Sequence, residues 1–222
     1  MAHNTSQNSS INISGNASHT TIISGSNNVV NNNTATQPVE QASNSPTKRK
    51  ILLLGANPKN KTRLRLDEEI RDIQEGLARS HHRNAFELAQ RWAVRPRDFQ
   101  RAMLEETPQI VHFSGHGEGE SGLYFEAENG NAKAVTAAAL AISFKLFTTK
   151  APIECVLLNG CYSQVQAEAI VMHVPYVIGM KDAVSDRAAI EFAVGFYDDT
   201  VTRLPLTSTQ PNDQLILTEI TP

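Results

Sequence analysis

IVHFSGHGEG at residues 110–119 and CVLLNGCYSQ at residues 155–164 decide how the rest of the chain is read. In each, an apolar run stops at a glycine and a reactive side chain follows. His116 comes just after Ile110–Phe113, and Cys161 just after Val156–Leu158. Continuous apolar runs of this length, bounded by turn residues, predict strands buried on both faces, as in a parallel sheet. The two side chains then sit where the strands end and their loops open to solvent, the edge at which open α/β sheets gather ligands. A thiol and an imidazole delivered to one edge are the parts of a cysteine nucleophile and its general base.

Working outward, strand and helix patterns alternate from KILLLGANP at 50–58 onward. Leu66, Ile70, Ile73 and Leu77 recur at helical spacing, with Asp67, Glu68 and Arg71 on the other side. FELAQRWAV at 86–94 predicts a second strand, and RPRDFQRAMLEE at 95–106 a helix with Pro96 in its first turn. QIVHFSGH is the third strand. GLYFEAENGNAKAV predicts a hairpin turning at Asn129 and Gly130. A helix over TAAALAISFKLF, a fourth strand over IECVLLNGC, a helix over QVQAEAIVM and a fifth strand over VPYVIGM follow. A last helix starts near Ser185, which can cap it, with Ala189, Phe192, Ala193 and Phe196 on one face. Such alternation implies an α/β fold, a mostly parallel sheet covered by helices on both sides.

Composition changes near residue 47. Before it, the chain is rich in Asn, Ser and Thr and carries one charged side chain, Glu40; after it, the alternating patterns begin. INISGNAS at 11–18 and IISGSNNVV at 22–30 repeat at an offset of ten residues. Ile, Val and Thr favour strands, Gly and Asn permit turns, and little charge opposes stacking of identical chains with their Asn side chains in ladders. A solvated low-complexity tail is the alternative from composition. The expected organisation is a β-prone assembly segment at 1–30, a flexible linker at 31–47 containing Pro38 and Pro46, and a single folded domain at 48–222.

The chain has 222 residues, 40% of them hydrophobic, and a net charge of −3. That supports one sizeable core, and no sustained basic run offers the phosphate electrostatics that nucleic acid needs. No apolar stretch approaches the length of a membrane span, and MAHNTSQNSS lacks the charged and apolar regions of a signal peptide, so a cytoplasmic location is expected. Two cysteines in such a compartment argue against a structural disulfide and exclude a four-cysteine zinc site. Cys155 lies in the apolar run ECVLL and reads as a small buried hydrophobe. His112 and His116 have the spacing of a zinc helix, but the strand-like run around them argues against one, and no metal site or cofactor is expected. His81, His82 and His173 read as surface or helix-end residues.

VHFSGHGE, the hairpin after it, LLNGCYSQVQAEAI and VIGMKDAVSDRAAIEFAVGFY together resemble the CHAT family of caspase-like cysteine peptidases. The likeness spans roughly 50–198. It implies a caspase-haemoglobinase fold, a three-layer sandwich with the catalytic pair on neighbouring strands. It also implies that His116 and Cys161 are catalytic, that the backbone N–H groups of Gly117 and Cys161 form the oxyanion hole, and that the substrate is a protein. The residue types suit that role. A free thiol, with a pKa of about 8.5, is mostly protonated at neutral pH and needs a nearby imidazole to take its proton. Gly115, Gly117 and Gly160 let backbones approach closely, and a donor at a developing oxyanion contributes about 3–4 kcal/mol. Turns after buried strands, with an inert thiol and a surface histidine, are the plain alternative.

Asp182 and Asp186 follow the fifth strand, where a carboxylate could select a basic substrate side chain; acidic stabilisation of a helix N-terminus explains Asp186 equally well. Glu118 and Glu120 could orient substrate or only solvate their loop. After GFY the chain departs from the family: DDTVTRLPLTSTQPNDQLILTEITP shows no amphipathic helix, and only QLILTEI resembles a terminal strand. The segment 9–32 resembles the amyloid-type signalling motifs of bacterial and fungal immune systems. That likeness implies a partner sensor of the NACHT or STAND type with a matching segment, self-assembly through 9–32, and activation by crowding. A protease-dead adaptor on the same fold and a cysteine-dependent acyl transferase are the other two function classes the residues allow.

Overall fold

The computed structural model describes residues 48–80 and 83–198 in full, and the backbone alone at 199–200 and 215–218. The expected assembly segment and linker, His81, His82 and most of the C-terminal stretch after residue 200 lie outside these residues.

The described residues form eight strands and five helices: β1 (Arg49–Gly55), α1 (Leu66–Arg79), β2 (Phe86–Arg91), α2 (Pro96–Glu106), β3 (Ile110–Ser114), β4 (Leu123–Glu126), β5 (Ala132–Val135), α3 (Ala137–Thr148), β6 (Cys155–Asn159), α4 (Gln164–Ile170), β7 (Tyr176–Met180), α5 (Asp186–Gly195) and β8 (Leu215–Thr218). Six strands form one sheet in the order β2-β1-β3-β6-β7-β8, and every pairing in it is parallel. The chain leaves β1 for β2 on one side and returns to β3 on the other, so the order reverses at β1 and opens a crevice at the carboxyl ends of the strands. The mostly parallel, helix-covered α/β sandwich expected from the sequence is the fold observed.

Strand alternation sorts the core into two layers. Leu52, Leu54, Val111, Phe113, Val156, Leu158 and Val177 face one side, under α2, α3, α4 and the β4–β5 hairpin. There Phe99 packs edge-on against Phe147 with ring centroids 5.7 Å apart, and Phe125 anchors the hairpin 4.9 Å from Phe113. Each buried ring of this kind contributes about 1.5–3 kcal/mol. Ile51, Leu53, Ile110, Cys155, Leu157 and Ile178 face the other side, under α1 and α5. β2 lies at one edge of the sheet, and only Phe86 of its six residues is buried.

The helices begin where the residues predict. Pro96 opens α2, Thr136 Oγ1 accepts from Ala139 N at 3.3 Å to cap α3, and Ser185 Oγ accepts from Ala188 N at 3.3 Å to cap α5. The hairpin connection runs over 127–131 and is closed by Gly130 N to Ala127 O at 2.8 Å, with Gly130 at φ 78°. The buried face of α5 differs from the expected one. Ile190, Ala193, Phe196 and Tyr197 are buried, while Ala189 and Phe192 are only half-buried. Ile190, Ala193 and Tyr197 stand at i, i+3 and i+7, so the buried stripe of α5 continues into the wider π-helical turn at Phe196–Thr200.

Candidate active site

β3 and β6 are neighbours, and their last paired residues are Ser114 and Asn159. His116 and Cys161 each stand two residues beyond that pair, so equal lengths of chain carry imidazole and thiol past the same edge of the sheet. The two loops then lie backbone against backbone. Gly115 N donates to Asn159 O at 3.3 Å. A Cβ on Gly160 would come 2.9 Å from Gly115 O, and one on Gly117 would come 2.3 Å from Cys161 O. Neither glycine has positive φ, so what these positions require is close approach rather than left-handed backbone. That conformation is adopted instead by Tyr162, at φ 52°, directly after the thiol. Its N–H donates to Asp182 O at 3.2 Å.

His116 Nε2 lies 2.7 Å from Thr62 O. A carbonyl only accepts, so Nε2 carries the proton and, in the neutral ring, Nδ1 is left as the basic nitrogen. The His116 loop is pinned by Tyr124 N to His116 O at 2.9 Å and by Gln166 Nε2 to Gly119 O at 2.7 Å. Cys161 is half-buried; its Sγ accepts from Val184 N at 3.3 Å and faces Val184 O at 3.5 Å. No hydrogen bond joins His116 to Cys161 among the described residues; the fold brings their loops together and each side chain is held by a neighbouring backbone. The N–H groups of Gly117 and Cys161 have no acceptor among the described residues.

Asp186 is the first residue of α5, and its carboxylate accepts from Arg65 Nε at 2.7 Å and Arg65 N at 3.3 Å. The hydrogen bond to Asp186 raises the Arg65 guanidinium above its ordinary range. Asp182 is exposed, and its carbonyl accepts from Tyr162 N. Glu118 is tied to its own surroundings: Tyr124 OH donates to it, Lys61 Nζ lies 3.4 Å away, and the tyrosine bond and the lysine hold its carboxyl below the usual range. Glu120 is exposed. A hollow of about 240 Å³ opens on the Thr62 side, lined by Asn57, Arg63, Leu64, Asp67 and Trp92 among others.

Beneath the loops runs a buried polar cluster that the sequence reading missed. Glu69, His112, Ser114 and Asn159 are each no more than 4% exposed, on the α1 and α5 side of the sheet. Ser114 Oγ donates to Glu69 Oε2, and Asn159 Nδ2 donates to Glu69 Oε1 at 2.7 Å and to Ala189 O at 3.1 Å. His112 Nδ1 lies 3.2 Å from Tyr197 OH, and its Nε2 lies 3.2 Å from Glu69 Oε1 but off the line of a hydrogen bond. A signal for Glu69 was present: it is an acidic residue on the stripe of Leu66, Ile70 and Ile73.

Cys155 is fully buried, as expected of it, and burial first, then Glu154, pushes its thiol up to about 12. A thiol reagent is therefore expected to titrate one thiol per native chain, Cys161, and two in urea; two fast thiols in the native chain would contradict this placement. Because the folded value lies above the unfolded one of about 9, the contribution of Cys155 is fully present below pH 9 and is lost as pH rises through 12. Denaturation midpoints should fall over that window, and less so in Cys155→Ser.

Among the described residues no group of His, Cys, Asp and Glu could hold a metal ion, and no helix is long and apolar enough to cross a membrane. Two curated relatives cover about two thirds of this chain. A "Probable protease" of Gillisia limnaea is 25% identical over 147 residues, 66% of this chain and 26% of that protein. A "Roc-COR-CHAT protease" from an unknown prokaryotic organism is 28% identical over 156 residues, 67% of this chain and 14% of that protein. The chain thus spans about a quarter and a seventh of their lengths. The sequence profile of the CHAT domain matches residues 27–210, and with the parallel sheet and the paired loops already described, this chain belongs to the CHAT domain family.

Proposed function

We propose that the chain is a cysteine endopeptidase that uses His116 and Cys161. The observation that carries this reading is the matched position of the two residues, each two beyond the Ser114 and Asn159 pair, beside two unengaged N–H groups. In the reaction, Sγ leaves Val184, gives its proton to His116 and attacks the carbonyl carbon of the scissile bond. The carbonyl oxygen takes up the negative charge between Gly117 N–H and Cys161 N–H. His116 passes the proton to the leaving amine, the C–N bond breaks, and a thioester remains. Water then attacks the thioester, releasing the carboxylate and restoring the thiol. Thr62 O orients the imidazole throughout. The amine leaves on the histidine side, so substrate residues after the cut run toward the hollow beside Trp92. Residues before it run toward 182–186. There Asp182 is the carboxylate open to a basic side chain, and Asp186 serves the helix N-terminus and Arg65.

The protease names of the two relatives support the reaction class. Residues 9–32 are proposed to recruit the chain to a NACHT- or STAND-type sensor in the cytoplasm, where crowding along a β-stack activates it through high local concentration. Fibres grown from a synthetic 9–32 peptide are the probe: they are expected to cluster the full chain and raise its cleavage of a cell proteome, and a chain with 9–32 shuffled should not respond. Equal responses from both chains would remove the recruitment step. The separate tethers of His116 and Cys161 favour one competing reading, a protease-dead adaptor, for which a Cys161→Ala chain would retain the cellular effect.

A further inference from the structure

Glu69 is the one carboxylate in the core of the described residues, and it faces the two strands that lead to His116 and Cys161. Its two oxygens are divided between them. Oε2 accepts from Ser114 Oγ at the end of β3, and Oε1 accepts from Asn159 Nδ2, 2.7 Å away, at the end of β6. The Asn159 amide cannot be turned the other way, because Nδ2 faces two groups that only accept, Glu69 Oε1 and Ala189 O at 3.1 Å. Ala189 lies on α5, whose entry loop carries Val184, the residue that holds the thiol. One side chain on α1 therefore ties together β3, β6 and, through Asn159, α5.

A buried carboxylate is costly to desolvate, and here that cost is offset by the groups that meet it: Ser114 Oγ and Asn159 Nδ2 donate to it, and His112 Nε2 lies 3.2 Å from Oε1. What the carboxylate supplies is two acceptors at fixed spacing, and those acceptors fix the last residues before both catalytic loops. We infer that Glu69 is a positioning residue, which sets the spacing of His116 and Cys161 by clamping Ser114 and Asn159. The inference rests on the dyad reading above. Glutamine at this position keeps the shape but has one acceptor where the clamp uses two, so it loosens the clamp without opening a cavity.

The test needs no substrate. The rate of Cys161 alkylation by iodoacetamide, followed by peptide mass spectrometry, is measured against pH on the full chain for wild type, His116→Ala, Glu69→Gln and Ser114→Ala, with a melting curve for each. Near pH 6.5, wild type should react faster than His116→Ala, because the imidazole sustains the thiolate. Glu69→Gln should lose at least about fivefold, toward His116→Ala, when measured well below its melting temperature, which should fall because an amide N–H then faces a buried donor. Ser114→Ala should move the same way by less. A Glu69→Gln profile that overlies wild type overturns the positioning role while the dyad stands. A wild-type profile that overlies His116→Ala removes the dyad, and this inference with it. If Glu69→Gln does not fold, Ser114→Ala decides, and an unmoved profile there overturns the inference.

Discussion

Cys161→Ala is expected to abolish peptide cleavage, by at least about a thousandfold, while melting within a few degrees of wild type. The two parts have different causes. Sγ is the atom proposed to form the thioester. Cys155 is sealed in the core with its thiol pushed up to about 12 and cannot take over. The fold, in contrast, uses Cys161 lightly: the side chain is half-buried, and its hydrogen bonds among the described residues are with the backbone of Val184. A variant that loses activity and melts with wild type has lost chemistry rather than structure. His116→Ala should follow it, since without the imidazole the thiol is mostly protonated at neutral pH and the leaving amine has no proton donor.

Gly117→Ala is the second large effect, and it acts without touching either reactive atom. The added Cβ would meet Cys161 O at 2.3 Å and Leu123 Cδ2 at 3.2 Å. The first of these is backbone, held by the loop that carries Cys161, so one loop must back away from the other. That separates the two N–H groups proposed to receive the oxyanion and moves Cys161 relative to His116. Losing one such donor costs about a hundred- to a thousandfold in turnover, and misplacement by about 1 Å costs a hundredfold. Gly119→Ala is the matched control two residues on. Its Cβ meets nothing closer than 3.9 Å, and its cost is the strain of φ 52°, about 1 kcal/mol. Turnover and melting of both variants, on a peptide the wild type cleaves, should separate them: Gly117→Ala loses turnover out of proportion to stability, and Gly119→Ala does not. Equal turnover in the two would contradict the role given to the Gly117 loop.

The parts of the fold that were legible are those where burial leaves a one-dimensional trace. β1, β3, β6 and β7 are packed on both faces, so they read as apolar runs, interrupted within β3 by His112, that end in glycine or a turn. α1 showed its stripe because one side meets the sheet and the other meets water. The placement of His116 and Cys161 on adjacent loops came from the order of two motifs. What holds those residues was not legible, because Thr62 O, Val184 N and Val184 O are backbone atoms that any sequence supplies. The Arg65 partner of Asp186 was hidden by a sequence separation of 121 positions. Glu69 was visible as an acidic residue on an apolar stripe, yet which donors it would meet depends on the register of β3 against β6. Tyr197 lies seven residues after Ile190 and four after Ala193, so its burial was legible in the helical spacing and went unread.

The most direct test of the dyad is a proteome-wide search for new N-termini after adding purified full chain assembled on 9–32 fibres, beside Cys161→Ala and His116→Ala treated identically. New termini in the wild-type sample alone are the predicted result, and the residues aligned before each cut would show whether Asp182 selects a basic side chain. The same set of termini in all three samples, or none in any while assembly is confirmed, would contradict the peptidase and leave the adaptor.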